Sequence, residues 1–146
     1  MVIGIFGESC TGKSTLAAEL SQRTGAAVYT GKEYIKLAKN EAESQKIFTG
    51  MLQDAVTGPE TVVYVISERE HLPLLPEKAV RVLVTADLDV IKERFAKRMN
   101  GRLPAPVASM LEKKHGMFDG EKHDLHVHSA EDVSQMCNRI LELSIR

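Results

Sequence analysis

The chain has 146 residues, of which 43% are hydrophobic and 27% charged, which is typical of one globular domain. Its 19 basic and 20 acidic residues give a net charge of −1, which argues against a protein that coats a nucleic acid polymer or an anionic membrane. The two cysteines, Cys10 and Cys137, fit reduced thiols better than a disulfide framework. The apolar run 2–6 is too short for a signal-peptide core or a membrane span. We therefore expect a soluble cytoplasmic protein.

The first two elements form a strand followed by a helix. Residues 1–6 read MVIGIF, and such a continuous apolar run predicts a strand buried on both faces, as in a parallel sheet. Residues 13–24 predict a helix that Gly25 ends. Three apolar residues share one face of that helix: Leu16, Ala17 and Leu20.

The rest of the chain continues the alternation of strands and helices. Further strands are predicted at 26–29, 61–66, 79–84 and 124–128. Helices are predicted within 31–56 (two), 67–77, 87–99, 107–115 and 130–145. In the helix at 87–99, Leu88, Ile91 and Phe95 are expected to face inward. This alternation indicates a parallel sheet between two layers of helices. No linker divides the chain, so we expect a single domain over 1–146.

A phosphate-binding motif lies between the first strand and the first helix. Residues 7–14 read GESCTGKS and match G-x-x-x-x-G-K-[ST]. The two glycines let the backbone curl so that successive N–H groups point at phosphate, and the helix N-terminus adds partial positive charge. The motif predicts nucleotide contacts from Gly7, Glu8, Ser9, Cys10, Thr11, Gly12, Lys13, Ser14 and Thr15.

The residue types in this loop suggest separate roles. Lys13 is placed to reach the β- and γ-phosphates and Ser14 to ligate Mg²⁺, while Thr15 is a weaker candidate for the α-phosphate. The chain has no Asn-Lys-x-Asp motif of the GTPase kind, which favours ATP over GTP. The predicted cofactors are therefore ATP and Mg²⁺. Cys10 is open to two interpretations, a reactive thiol near a helix N-terminus or simply a tolerated small residue.

Four segments together resemble the P-loop nucleoside-monophosphate kinases, especially the cytidylate-kinase-like and adenylate-kinase-like proteins. They are the loop 7–14, Thr30-Gly31 after the second strand, Arg94 with Arg98 after the fourth strand, and the HDLHV run at 123–127. The resemblance implies the three-layer P-loop fold with strand order 2-3-1-4-5. It also implies acceptor-binding helices at about 31–56 and a short lid at about 100–122.

The resemblance implies an acceptor site that departs from the family pattern. Lys32 stands where the family has Asp, and Ile35 stands where an arginine is expected, so Lys36 or Lys39 would have to bind acceptor phosphate. Glu68 and Arg69 follow the third strand in place of the family's Asp-Gly-x-Pro-Arg segment. The substrate-binding candidates are accordingly Thr30, Gly31, Lys32, Lys36, Glu68 and Arg69.

The catalytic candidates are Lys13, Arg98 and Arg94. The two arginines are four residues apart, so they share a helix face and can both point at a phosphate. A solvated basic face near the helix C-terminus is the alternative interpretation. The resemblance adds Lys113 and Lys114 as lid cations.

Two other features have simpler interpretations. Asp87 is predicted to cap the following helix rather than bind magnesium. His126 and His128 share one strand face near His123, and an exposed end of the sheet is favoured there over a metal site.

The sequence thus predicts an ATP-dependent phosphotransferase that moves the γ-phosphoryl group to a nucleotide or related metabolite, a small-molecule acceptor. Two alternatives stay open. One is an ATP- or GTP-binding module without catalysis, and the other is a small NTPase switch coupled to a protein partner.

Overall fold

The computed structural model describes residues 1–143 of the protein. Within them, strands and helices alternate as the apolar periodicity predicts. The elements are β1 (Val2–Phe6), α1 (Lys13–Thr24), β2 (Ala27–Thr30), a 3₁₀ helix (Glu33–Leu37), α2 (Glu41–Thr57), β3 (Val62–Ile66), a second 3₁₀ helix (Arg69–Leu74), β4 (Val80–Thr85), α3 (Leu88–Arg98), α4 (Ala105–Lys114), β5 (Leu125–His128) and α5 (Val133–Leu143).

The five strands form one parallel sheet in the order β2-β3-β1-β4-β5. This confirms the predicted fold class and strand order. In the register of the central strands, Gly4 of β1 lies opposite Tyr64 of β3 and Arg81 of β4. Because all strands are parallel, their carboxyl ends meet at one edge of the sheet, which is where ligands bind in open α/β folds.

Both faces of the sheet are covered, which explains why β1 and β3 are buried at every position. Successive strand residues point to opposite faces, so each strand contributes to two apolar clusters. One face packs against α2 and the segment after α4, and its largest members are Phe6, Tyr34, Phe48, Tyr64 and Phe118. The other packs against α1 and α5 and includes Ile3, Ile5, Leu16, Leu20, Val63, Val127 and Ile140.

The helix α1 has the predicted bounds. It begins after Gly12, whose φ is 97°, and ends at Gly25, whose φ is 73°. Both glycines adopt the left-handed conformation that side chains disfavour. The buried face of α1 contains the predicted apolar residues Leu16, Ala17 and Leu20.

The region predicted as two helices within 31–56 forms the first 3₁₀ helix and α2. Asn40 caps α2, since its side-chain oxygen accepts a hydrogen bond from the backbone N–H of Glu43 at 2.8 Å. The buried hydroxyl of Ser44 donates to the carbonyl of Ile35 and accepts from the N–H of Ala38, each at 3.0 Å. This hydroxyl therefore fastens the 3₁₀ helix to α2.

Two predictions at helix ends differ from the structure. Asp87 occupies the N-cap position of α3, but its side chain makes no capping hydrogen bond. Its carboxylate instead lies 3.3 Å from Nε2 of His128, because β5 ends beside β4 and offers a closer partner. The last helix begins at Val133 rather than at Ala130, and positions 144 and 145 of its predicted extent lie outside the described residues.

No helix within residues 1–143 combines the length and the apolar character needed to cross a membrane.

Candidate active site

The phosphate loop begins where β1 meets the carboxyl edge of the sheet. The N–H of Gly7 donates to the carbonyl of Ile66, 3.2 Å away on the end of β3. On its other side Gly7 lies so close to β4 that a Cβ would stand 2.2 Å from the carbonyl oxygen of Val84. Only glycine fits between these two strands, which gives a packing reason for the first glycine of the motif.

The loop curls through backbone conformations that L residues rarely adopt. Cys10 has φ 65° and is buried, and Gly12 has φ 97°. Left-handed backbone at a residue with a side chain is uncommon and is concentrated at functional sites. The conformation at Cys10 points to a loop shaped for ligand binding rather than for stability.

Lys13 folds back onto its own loop. Its ammonium donates to the carbonyl oxygens of Gly7 at 2.8 Å and Glu8 at 2.6 Å, and the residue is 5% exposed. Burial lowers the pKa of Lys13 to about 8; Arg98 acts in the same direction, while the acidic groups of Cys10, Glu8 and Glu68 oppose it. An ammonium in this environment gains most from an incoming phosphate, which supplies the counter-charge it lacks.

A cavity of about 420 Å³ opens beside the loop. Its floor is the start of α1, and its sides come from α3 and from the start of α5. The lining residues are Cys10, Thr11, Gly12, Thr15, Val84, Arg94, Arg98, Ser129, Val133 and Met136. Its mixture of apolar and cationic groups suits a nucleotide, whose base is apolar and whose phosphates are anionic.

The sequence reasoning did not identify the far wall of this cavity. Ser129, Val133 and Met136 come from the end of β5 and the start of α5, and no motif marks them. The strand order provides the only sequence signal, because it places β5 next to β4 and brings the start of α5 towards the phosphate loop.

A second cavity, of about 130 Å³, lies on the other side of the loop. It contains the predicted catalytic and metal-binding residues Lys13 and Ser14, together with Thr30 and Ser67 from the ends of β2 and β3. Arg98 lines this cavity as well as the larger one. The exposed guanidinium of Arg98 therefore lies at the boundary between the two cavities.

The two predicted arginines are placed differently. Arg94 is half-buried, and its Nη1 donates to the carbonyl of Cys10 at 3.0 Å. Arg98 lies one turn further along α3 and is exposed. Arg94 thus supports the loop, whereas Arg98 faces the space that a ligand would fill.

Gly31, a predicted acceptor contact, has a structural role in the backbone. It has φ 53°, its N–H donates to the carbonyl of Val65, and its own carbonyl accepts from the hydroxyl of Tyr64 at 2.7 Å. Burial raises the pKa of Tyr64, so this hydroxyl stays protonated and keeps donating. These bonds fix the turn after β2 beside the second cavity.

Three of the four charged acceptor candidates face an oppositely charged group. Lys32 lies 3.7 Å from Glu41. Nη2 of Arg69 lies 3.1 Å from the Glu121 carboxylate, and Glu68 lies 3.5 Å from Lys114. The Glu68–Lys114 pair joins the end of β3 to α4 at the edge of a small space lined also by Ser9 and Ser67. Two further predicted cations, Lys36 and Lys113, are exposed.

A third cavity, of about 270 Å³, lies at the ends of β4 and β5 and collects four of the five histidines. His126 and His128 both line it, as expected for alternate strand positions. Nε2 of His126 lies 2.8 Å from the Thr85 hydroxyl. Within residues 1–143 no group of three or more His, Cys, Asp or Glu side chains is arranged to hold a metal ion.

Comparison of the fold with solved structures finds matches that include several kinases. A gluconokinase from Sinorhizobium meliloti is 17% identical, with 97% of this chain and 89% of that chain covered and a TM-score of 0.61. A shikimate kinase from Aquifex aeolicus is 22% identical, with 99% and 96% covered and a TM-score of 0.59. The Deinococcus radiodurans tunicamycin resistance protein is 18% identical, with 98% and 94% covered and a TM-score of 0.70.

No protein-family model matches the sequence, and no curated protein matches it significantly. At these identities the structural matches define the fold, which is that of the P-loop kinases of small molecules. They show this fold and do not single out the cytidylate- or adenylate-kinase type.

Proposed function

We propose that this protein is an ATP-dependent kinase that transfers the γ-phosphoryl group to a hydroxyl group of a small molecule. One observation carries the proposal. Arg98 lines both the larger cavity beside the loop and the smaller cavity that holds Lys13, Ser14 and Thr30. A module that only binds a nucleotide needs one such cavity. Phosphoryl transfer needs one cavity for the donor and one for the acceptor, with a cation where the two cavities meet.

The donor would occupy the larger cavity with its phosphates on the loop. The backbone N–H groups of the loop and Lys13 would hold the β- and γ-phosphates, and Arg94 would keep the loop in shape through the Cys10 carbonyl. Arg98 would neutralise charge on the phosphoryl group as it moves between the cavities.

The residues present fit a magnesium ion, because the available donors are hard oxygen groups. The Ser14 hydroxyl lies in the same cavity as Lys13 and would be the direct protein ligand, with the Glu68 carboxylate holding an ion-bound water. When bound, Mg²⁺ would neutralise negative charge on the β- and γ-phosphates.

The acceptor would enter from the side of Thr30, Ser67 and Glu68. Ser67 and Thr30 offer hydroxyl groups that can bind a polar acceptor, and Glu68 is the carboxylate that we assign to receive the proton of the attacking hydroxyl. The pairing of Lys32, Arg69 and Lys114 with carboxylates favours a polyhydroxylated acceptor over a nucleoside monophosphate. Gluconokinase and shikimate kinase, whose folds match, are named for small hydroxylated acceptors.

A protein of this kind would work in the cytoplasm, where ATP is available and free thiols such as Cys10 and Cys137 stay reduced.

The test is to measure ADP formation from ATP and Mg²⁺ against a panel of sugar acids, polyols, nucleosides and nucleoside monophosphates. ADP formation that depends on one acceptor and is lost in Lys13→Ala would establish the kinase and identify its substrate. Binding of ATP without acceptor-dependent turnover would instead support a nucleotide-binding module. Hydrolysis that rises only with a protein partner would support an NTPase switch.

A further inference from the structure

The side chain of Glu8 points away from the nucleotide cavity and towards the segment after α4. The side chain is 9% exposed, and both of its oxygens are engaged. Oε1 lies 2.9 Å from Nδ1 of His115, and Oε2 accepts from the backbone N–H of Gly116 at 3.2 Å. Because a carboxylate has no proton to donate, Nδ1 of His115 is the donor in the first contact.

The partners of Glu8 are held independently of it. Gly116 has φ 80°, which starts a turn that glycine adopts readily. Two residues later Phe118 is 1% exposed, and its ring centroid lies 5.7 Å from that of Phe6, the last residue of β1. The apolar contact therefore fixes the position of His115 relative to the start of the phosphate loop.

The backbone of Glu8 is at the same time part of the lysine site. Its carbonyl accepts from the ammonium of Lys13 at 2.6 Å and from the hydroxyl of Thr11 at 2.9 Å. A rotation of Glu8 that follows the loss of its side-chain contacts would move this carbonyl and with it the ammonium.

We propose that His115 is a positioning residue for the phosphate loop. Acting through Glu8, it holds the loop in the form in which Lys13 is poised for phosphate, and it couples nucleotide binding to the segment 105–122. The inference rests on the proposed function only in taking ATP as the ligand of the loop. It adds a contact across 107 residues of sequence that the phosphate-binding motif does not include.

Two variants separate the hydrogen bond from the bulk of the ring. His115→Leu removes the donor, and His115→Asn keeps an N–H donor near the position of Nδ1. We expect His115→Leu to bind ATP about tenfold more weakly, as for the loss of a hydrogen bond to a charged group, and His115→Asn to bind within about twofold of wild type. His123→Leu is the matched control, because His123 is an exposed residue that lines the third cavity together with Glu8 and His115. Its ring bonds to the Glu121 carbonyl and packs edge-on against the His126 ring rather than bonding to Glu8.

Affinity is measured by titration calorimetry below the unfolding temperature of each variant, so that reduced stability does not imitate weak binding. Equal affinity in wild type and His115→Leu would overturn the inference, and so would equal weakening in His115→Asn and His115→Leu. If the wild type does not bind ATP at all, it is the proposed function that fails.

Hydrogen exchange in the wild-type protein gives a second test that needs no variant. Coupling is reciprocal, so ATP should slow exchange of the Gly116 amide, which donates to Glu8, by about tenfold, matching the affinity change. The Asp119 amide, which bonds to the Gly116 carbonyl within the same turn, should change less. Unchanged exchange at Gly116 in the presence of saturating ATP would overturn the inference.

Discussion

The guanidinium of Arg94 donates to the backbone carbonyl of Cys10 at 3.0 Å, which connects α3 to the phosphate loop across 84 residues of sequence. Cys10 is also the non-glycine residue of the loop that adopts a left-handed backbone, at φ 65°. A charged donor thus supports the part of the loop whose conformation is least favourable by itself. Arg98, one turn away, makes no such contact among the hydrogen bonds of residues 1–143.

This difference predicts separable effects for the two arginines. Arg94→Ala should lower the free energy of unfolding by about 1–2 kcal/mol, since a charged hydrogen bond to the loop is lost, and should weaken ATP binding. Arg98→Ala should leave stability within about 0.5 kcal/mol, as for other exposed positions, but should reduce turnover by about 100-fold or more. Urea unfolding and steady-state kinetics measure the two quantities.

Lys97→Ala is the control for both variants. Lys97 is on the same helix and its side chain is 77% exposed. Within residues 1–143 its ammonium pairs only with Glu93, at 3.8 Å. It should match wild type in both measurements. A loss of turnover in Lys97→Ala equal to that in Arg98→Ala would show that general charge on α3, rather than the position of Arg98, accounts for the effect.

The lowered pKa of Lys13 predicts how the free energy of unfolding of the nucleotide-free protein depends on pH. Its pKa is lowered to about 8 in the folded protein, against about 10.4 in an unfolded chain. Between these values the unfolded state binds the additional proton, so the contribution of Lys13 to the free energy of unfolding rises with pH. Below about pH 8 Lys13 is protonated in both the folded and the unfolded state. Its contribution to the free energy of unfolding is then at its lowest value and no longer changes with pH.

The measurement is urea unfolding of wild type and Lys13→Met at pH 7.5 and 9.5. The difference between the two proteins isolates Lys13, because other groups titrate alike in both. Wild type should gain stability relative to Lys13→Met as the pH rises. No change in that difference would mean that the ammonium is not held in a poorly solvated site.

The same lowered pKa predicts proton uptake when ATP binds. Above about pH 8 the free protein holds Lys13 largely neutral, and phosphate restores the charged form because an opposite charge favours it. Calorimetry at pH 8.5 in buffers of different ionisation enthalpy should show uptake of a fraction of a proton. The uptake should be absent at pH 6.5 and in Lys13→Met.

The two glycines of the loop should tolerate a methyl group very differently. Gly7→Ala would place a Cβ 2.2 Å from the Val84 carbonyl, which forces the central strands apart. Gly12→Ala meets no atom within 4 Å but adopts φ 97°, so it should cost only the left-handed strain of about 1–2 kcal/mol. Thermal unfolding should show a much larger loss for Gly7→Ala, and equal losses would contradict this account of the loop.

Phe118 should be a main anchor of the segment after α4. Phe118→Ala removes a fully buried ring that packs on Phe6 and should lower the free energy of unfolding by about 3–5 kcal/mol. Phe118→Leu, which retains much of the apolar volume, should lose clearly less. Denaturant midpoints compare the two, and a small loss in Phe118→Ala would mean that the segment is held by other contacts.

The sequence by itself determined the sheet elements and the phosphate loop, because these depend on local rules. Continuous apolar runs such as 2–6 identify strands buried on both faces, and a G-x-x-x-x-G-K-[ST] loop between a strand and a helix has few other uses. Gly25 ended α1 where predicted, since a left-handed C-cap is encoded in adjacent residues.

The tertiary structure alone decided the contacts between residues far apart in sequence. Asp87 was predicted as a helix cap from its neighbours, yet it faces His128, which only strand pairing brings near. Three further features also depend on elements that the fold brings together. They are the wall of the larger cavity formed by Val133 and Met136, the ion pair of Glu68 with Lys114, and the hydrogen bond from His115 to Glu8. No local pattern encodes such contacts, because they depend on the order of strands in the sheet and on which helix ends the sheet brings together.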